Sequence, residues 1–99
     1  MPVLSPKQRQ FLRRLAHPLS PLVRIGKAGL TPAVVDETNH ALRAHELIKV
    51  RIEVEDRGQR RDVMGQLVAD SAAVLVGSVG KVAVLYRARE DEPGIHLPA

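Results

Sequence analysis

The residues best suited to chemistry are Gly26-Lys27-Ala28-Gly29. Two glycines bracketing two residues let the backbone turn sharply and approach another molecule with no Cβ in the way. Lys27 places an ammonium in that turn. Thr31-Pro32 then reads as a helix opening, with a hydroxyl cap and a proline at the first helical position. Free amides, the positive end of a helix dipole and one ammonium would converge on one point, which suits a phosphate. A Gly-x-x-Gly turn alone is more often only a turn, so its surroundings carry the weight.

Other chemistries find little support. The chain has no cysteine, which removes disulfides, thiolate metal sites and thiol catalysis together. His17, His40, His45 and His96 are scattered. His40 and His45 stand five apart, so they do not share the helix face that zinc ligands four apart require. Ser5, Ser20, Ser71 and Ser78 lack a nucleophile-elbow context, and Asp56 and Asp62 lie near arginines that could pair with them. The nucleotide-hydrolase loop needs four residues between its glycines, and Gly26–Gly29 has two. The expectation is a protein with no catalytic activity, no cofactor, no metal and no small-molecule substrate.

Charge points to a polyanion. Residues 1–51 hold nine Lys/Arg against three Asp/Glu, whereas residues 52–99 hold six against eight, for a net charge of +4. The glycine loop lies in the basic half. Phe11 and Tyr86 are the only aromatics, so stacking platforms for unpaired bases are few and contact should favour backbone and shape over base identity. No apolar run approaches the roughly 20 residues needed to span a bilayer, and Lys7, Arg9, Arg13 and Arg14 interrupt any secretory core. A soluble, cytoplasmic domain is expected.

The elements that must position the loop follow from periodicity. Ser5-Pro6-Lys7-Gln8 is a capping-box start for a helix over 5–16, which Pro18 ends. Phe11, Leu12 and Leu15 share one side of it, and Lys7, Arg9, Arg13 and Arg14 the other. A strand over 22–25 leads into the loop at 26–29, and a helix over 32–45 follows, with His45 on its apolar side as a core or capping residue. Residues 47–54 alternate as a strand: Ile48, Val50, Ile52 and Val54 face one way, Leu47, Lys49, Arg51 and Glu53 the other. Asp56-Arg57-Gly58 reads as a turn before a helix over 60–70. Strands over 73–78 and 82–87 form a closing hairpin around Gly80-Lys81. The order α-β-α-β-α-β-β gives an α/β protein of the two-layer α+β type, a four-stranded mixed sheet with three helices. The second and third helices should cover one face, and the first helix part of the other, where Leu22, Leu47, Leu75 and Leu85 are expected. Residues 1–89 make one domain, and 90–99 an acidic, mobile tail.

Several stretches together resemble one family. Leu15-Ala16-His17-Pro18-Leu19 precedes Ile25-Gly26-Lys27-Ala28-Gly29-Leu30-Thr31, then come His45-Glu46-Leu47-Ile48-Lys49-Val50-Arg51 and the closing Gly80 to Arg87. These are similar to the YhbY-like proteins, the stand-alone bacterial form of the CRM (chloroplast RNA splicing and ribosome maturation) domain, from about Leu4 to Arg87. Ile95-His96-Leu97-Pro98 also looks similar to the family's C-terminal end. The resemblance implies a fold like the C-terminal domain of translation initiation factor three with an added N-terminal helix. It implies RNA binding through the Gly-x-x-Gly loop and neighbouring basic surface, with bacterial members associated with large ribosomal subunit precursors. One departure is visible: members commonly carry glycine between the third helix and third strand, where this chain has Ser71-Ala72-Ala73.

The leading expectation is therefore a monomeric RNA-binding assembly factor. Gly26, Lys27, Ala28 and Gly29 would hold phosphate, Arg24, Lys49 and Arg51 would extend the track across the sheet, and Arg9, Arg13 and Arg14 would meet a neighbouring strand or groove. The alternative is a protein-binding adaptor on ribosomal particles whose basic face is incidental. Steep salt dependence separates phosphate contacts from an apolar interface.

Overall fold

The computed structural model describes residues 3–99; Met1 and Pro2, included in the domain on sequence grounds, lie outside the described residues. The elements run α1 (Pro6–Ala16), β1 (Val23–Ile25), α2 (Pro32–His45), β2 (Leu47–Ile52), α3 (Arg57–Ser71), β3 (Val74–Val79) and β4 (Val82–Tyr86). Each helix starts on a side-chain cap. Ser5 and Gln8 exchange the two bonds of a capping box, Thr31 accepts from the Val34 amide, and Asp56 accepts from the Gln59 amide at 2.8 Å. That last bond revises the expected turn at 56–58: Asp56 is the cap, so α3 begins at Arg57, three residues earlier than expected. β2 stops at Ile52 rather than Val54.

The sheet order is β1-β2-β4-β3. β1 and β2 are parallel, and β4 inserts antiparallel between β2 and β3. Gly80-Lys81 forms the two-residue hairpin turn, with Gly80 at φ 58°. A bulge between Leu75 and Gly77 interrupts the β3–β4 ladder.

α2 and α3 cover one face, where Val23, Ile25, Leu42, Ile48, Val50 and Leu67 form the main core. α1 covers one end of the other face, packing Leu12 and Ala16 on Leu47, Val76 and Tyr86. Leu75 and Leu85 are on the α2–α3 side, contrary to expectation, because Leu85 pairs with Ile48, Leu75 pairs with Leu85, and cross-strand partners share a face. Tyr86, which pairs with Leu47, and Val74, which pairs with Tyr86, take the α1 side instead. Leu15 and Leu22 stay exposed, and so does His45. The buried residue at that corner is Glu46, whose φ of 65° turns its side chain into the protein.

Within the tail expected to be mobile over 90–99, the residues from Gly94 to Pro98 make contacts with the domain. Glu46 accepts the amides of Arg89, Gly94 and Ile95 at 2.9, 2.7 and 3.0 Å. Ile95 and Leu97 pack on the α1 cluster, and Gln8 Nε2 donates to the Pro98 carbonyl. Polar segments are docked here because a buried carboxylate needs donors, and the returning chain provides them. Burial pushes the Glu46 carboxyl up, but the three amides and the Arg89 charge together outweigh it and hold it below its ordinary value.

Candidate nucleic-acid interface

The loop begins where β1 ends. Ile25 accepts the Glu53 amide through its carbonyl, so the loop stands at the C-terminal ends of the two parallel strands. The Gly29 amide donates to the Gly26 carbonyl at 3.0 Å, and Gly29 takes φ 73°, which closes the turn. Gly26, Lys27 and Ala28 are exposed. Among the described residues the Lys27 and Ala28 amides have no hydrogen-bond partner in the protein. α2 contributes less than its dipole suggests. Pro32 has no N–H and Thr31 takes that of Val34, so the adjacent amide still available is that of Ala33.

Beside the loop the open sheet face carries the expected cations. Arg24 and Arg51 are lateral neighbours across β1–β2, and both reach Glu53 Oε1. Lys49 lies two residues before Arg51 on the same face, and its Nζ donates to the His17 carbonyl at 3.2 Å, which ties the end of α1 to the sheet. Arg13 lies over Gly77: a Cβ there would stand 3.1 Å from Arg13 Nε, so glycine is what lets the guanidinium come this close to β3.

Two clefts connect these groups. One of about 760 Å³ is shared by Lys27, Arg51 and Lys81, and another of about 420 Å³ by Arg13, His17 and Lys49. The cations therefore form a track from the loop, across β2, to the last turn of α1, where Arg14 is exposed beside Arg13 and His17. Arg9 does not belong to it. Its Nη1 donates to the Leu75 and Val76 carbonyls at 2.7 and 2.8 Å, so this half-buried side chain satisfies acceptors at the β3 bulge. That is a correction to the helix-wheel grouping of Arg9 with Arg13 and Arg14.

Sequence reasoning missed Lys81. Its carbonyl accepts the Ile52 amide at 2.7 Å, which brings the hairpin turn against the end of β2, and its Nζ pairs with Glu55. That hydrogen bond and charge hold the Glu55 carboxyl below its ordinary value. Lys81 was visible as a turn residue; its place beside the loop depends on β4 lying between β2 and β3, which local pattern does not encode. Among the described residues, no helix is long and apolar enough to cross a membrane.

Comparison with known proteins agrees with this architecture. The CRS1 / YhbY (CRM) domain model matches residues 4–87. A Haemophilus influenzae protein named "RNA-binding protein" is 44% identical over 99% of this chain and 98% of its own length. The Bacillus subtilis "Probable RNA-binding protein YqeI" is 36% identical over 97% of this chain and all of its own. A Staphylococcus aureus protein solved in solution superposes with a TM-score of 0.83 at 30% identity, covering 97% of this chain and 100% of that one. On the family match and the shared fold together, the chain belongs to the CRS1/YhbY (CRM) domain family.

Proposed function

We propose that this protein binds structured RNA through its phosphate backbone, on large-subunit ribosomal RNA precursors during ribosome assembly in the cytoplasm. The observation that carries the reading is the exposed Gly26–Gly29 turn, with two unpartnered amides and Lys27 at the head of a row of cations. The amides and ammonium hold a phosphate, and Arg24, Arg51, Lys49 and Arg13 take those that follow. Phosphate contacts of this kind set register and affinity with little sequence information, so the shape of folded RNA selects the site. The names of the H. influenzae and B. subtilis relatives support RNA as the partner. The protein acts without catalysis, as a monomer that holds a precursor conformation and leaves as the mature surface forms.

Crosslinking in cells followed by sequencing of the attached RNA tests this, comparing the natural protein with Lys27→Glu. Precursor large-subunit RNA is expected from the first and a large loss from the second. Equal recovery would remove the loop from the mechanism. Association with ribosomal particles that survives both high salt and the substitution would favour an apolar protein interface instead.

A further inference from the structure

The 760 Å³ cleft beside the loop holds more than a phosphate track requires. Its lining mixes charge: Lys27, Arg51 and Lys81 face it, and so do Glu53, Glu55 and Asp62. Glu53 is engaged by two arginines and Glu55 by Lys81. Asp62 has no hydrogen-bond or ion-pair partner among the described residues, nor does the side-chain amide of Gln59. Gln59, Asp62 and the half-buried Val63 fall three and four residues apart on α3, so they present one surface to the cleft.

Asp62 and Gln59 are exposed and hydrated in the free protein, but an unpaired carboxylate repels a ligand that is phosphate alone. It fits a ligand that brings anionic oxygen to the lysines and N–H donors to Asp62. A nucleotide unit of an RNA strand has both. With its phosphate on the loop, its base lies in the cleft against Val63, where the planar Arg51 guanidinium can stack on it. Among the four bases, guanine alone has two adjacent donors, N1–H and the 2-amino group, matching the two oxygens of one carboxylate. Its O6 and N7 are acceptors for a Gln59 amide. We infer that the cleft between the Gly26–Gly29 loop and α3 receives one unpaired guanosine of the bound RNA, read by Asp62. This rests on RNA being the partner and adds a single position of base identity to an otherwise shape-driven contact.

The test uses four RNA hairpins with loops of seven uridines, one unchanged and three with the central uridine replaced by G, A or C. Each is titrated against the natural chain, Asp62→Asn and Lys27→Glu, and the melting temperature of each variant is checked against the natural chain. The natural chain is expected to prefer the guanosine hairpin by roughly tenfold. Asp62→Asn should lose that preference while binding the uridine hairpin as well or better, since a negative charge has gone. Equal binding of all four by the natural chain overturns the guanosine site and leaves the RNA reading standing if Lys27→Glu weakens every hairpin. A guanosine preference that survives Asp62→Asn overturns the role of Asp62. Failure to bind any hairpin overturns this inference, and the crosslinking comparison of the natural protein with Lys27→Glu then decides the RNA reading separately.

Discussion

Arg24 and Arg51 stand side by side across the parallel β1–β2 pair, and their guanidinium groups reach the same oxygen, Glu53 Oε1, at 3.4 and 3.0 Å. Two of the cations best placed to follow the loop are thus held together by one exposed acid. The arrangement keeps two like charges adjacent in the free protein, and on the proposed function a phosphate would have to compete with Glu53 for them.

Glu53→Gln removes that competitor. All three side chains are well exposed, so stability should change by no more than about 1 kcal/mol. RNA affinity should rise, and the dependence of log affinity on log salt should steepen by about 1–2 units as the freed arginines each take a phosphate. Binding isotherms across a salt series measure this; an unchanged slope would place Arg24 and Arg51 outside the contact.

Gly26 offers a test of close approach. It lies outside the left-handed region, and an added Cβ meets nothing within 4 Å, so Gly26→Ala should leave stability unchanged or raise it by up to about 1 kcal/mol. If a phosphate sits against the loop amides, the methyl group should still weaken RNA binding roughly tenfold by displacing a charge-assisted bond. Full affinity in this variant would show that RNA does not touch the loop backbone. Gly29→Ala cannot separate the two effects, because φ 73° penalises any side chain there.

Glu46 makes the C-terminal segment sensitive to acid. Its folded-state pKa is held below the ordinary 4.5, so its contribution to stability is present in full above that pH and is lost as pH falls through the lower folded value. Hydrogen exchange at the Gly94 and Ile95 amides should accelerate relative to core strands as the pH drops through the lowered folded-state value of Glu46. Glu46→Ala should produce the same release at neutral pH, with a loss of roughly 2–4 kcal/mol from the stranded amides. Protection at those amides that is unchanged in the variant would show that other contacts hold the segment.

Ala72 ends α3 in the left-handed conformation, φ 53°, and the next amide, that of Ala73, closes back on the Val68 carbonyl. Glycine takes this conformation without a Cβ penalty, and the chain holds it here with alanine. Ala72→Gly should therefore stabilise the protein by roughly 0.5–1 kcal/mol, visible as a rise of a few degrees in the melting temperature. A lower melting temperature would mean that the Ala72 methyl makes contacts worth more than the backbone strain.

Local signals in the chain carried much of the fold. The Ser5 capping box, the Thr31-Pro32 helix start, the alternation from Leu47 to Ile52 and the Gly80-Lys81 hairpin all appear in the structure where their patterns put them. Asp56 was misread because a single capping carboxylate ahead of a glycine looks the same in a turn and at a helix start. Arg9 was grouped with Arg13 and Arg14 because a helical wheel shows which residues share a side, not what that side lies against.

The residue order alone determined the glycine turn, the excess of positive charge around it and the type of each element, since these depend on neighbours within a few positions. Tertiary structure decided which cations stand near one another. Inserting β4 between β2 and β3 brought Lys81 to the loop, laying α1 on the sheet carried Arg13 to Lys49, and the β3 bulge claimed Arg9. Those outcomes follow from strand order and from buried carbonyls and carboxylates that must find donors, and both join residues far apart in the chain.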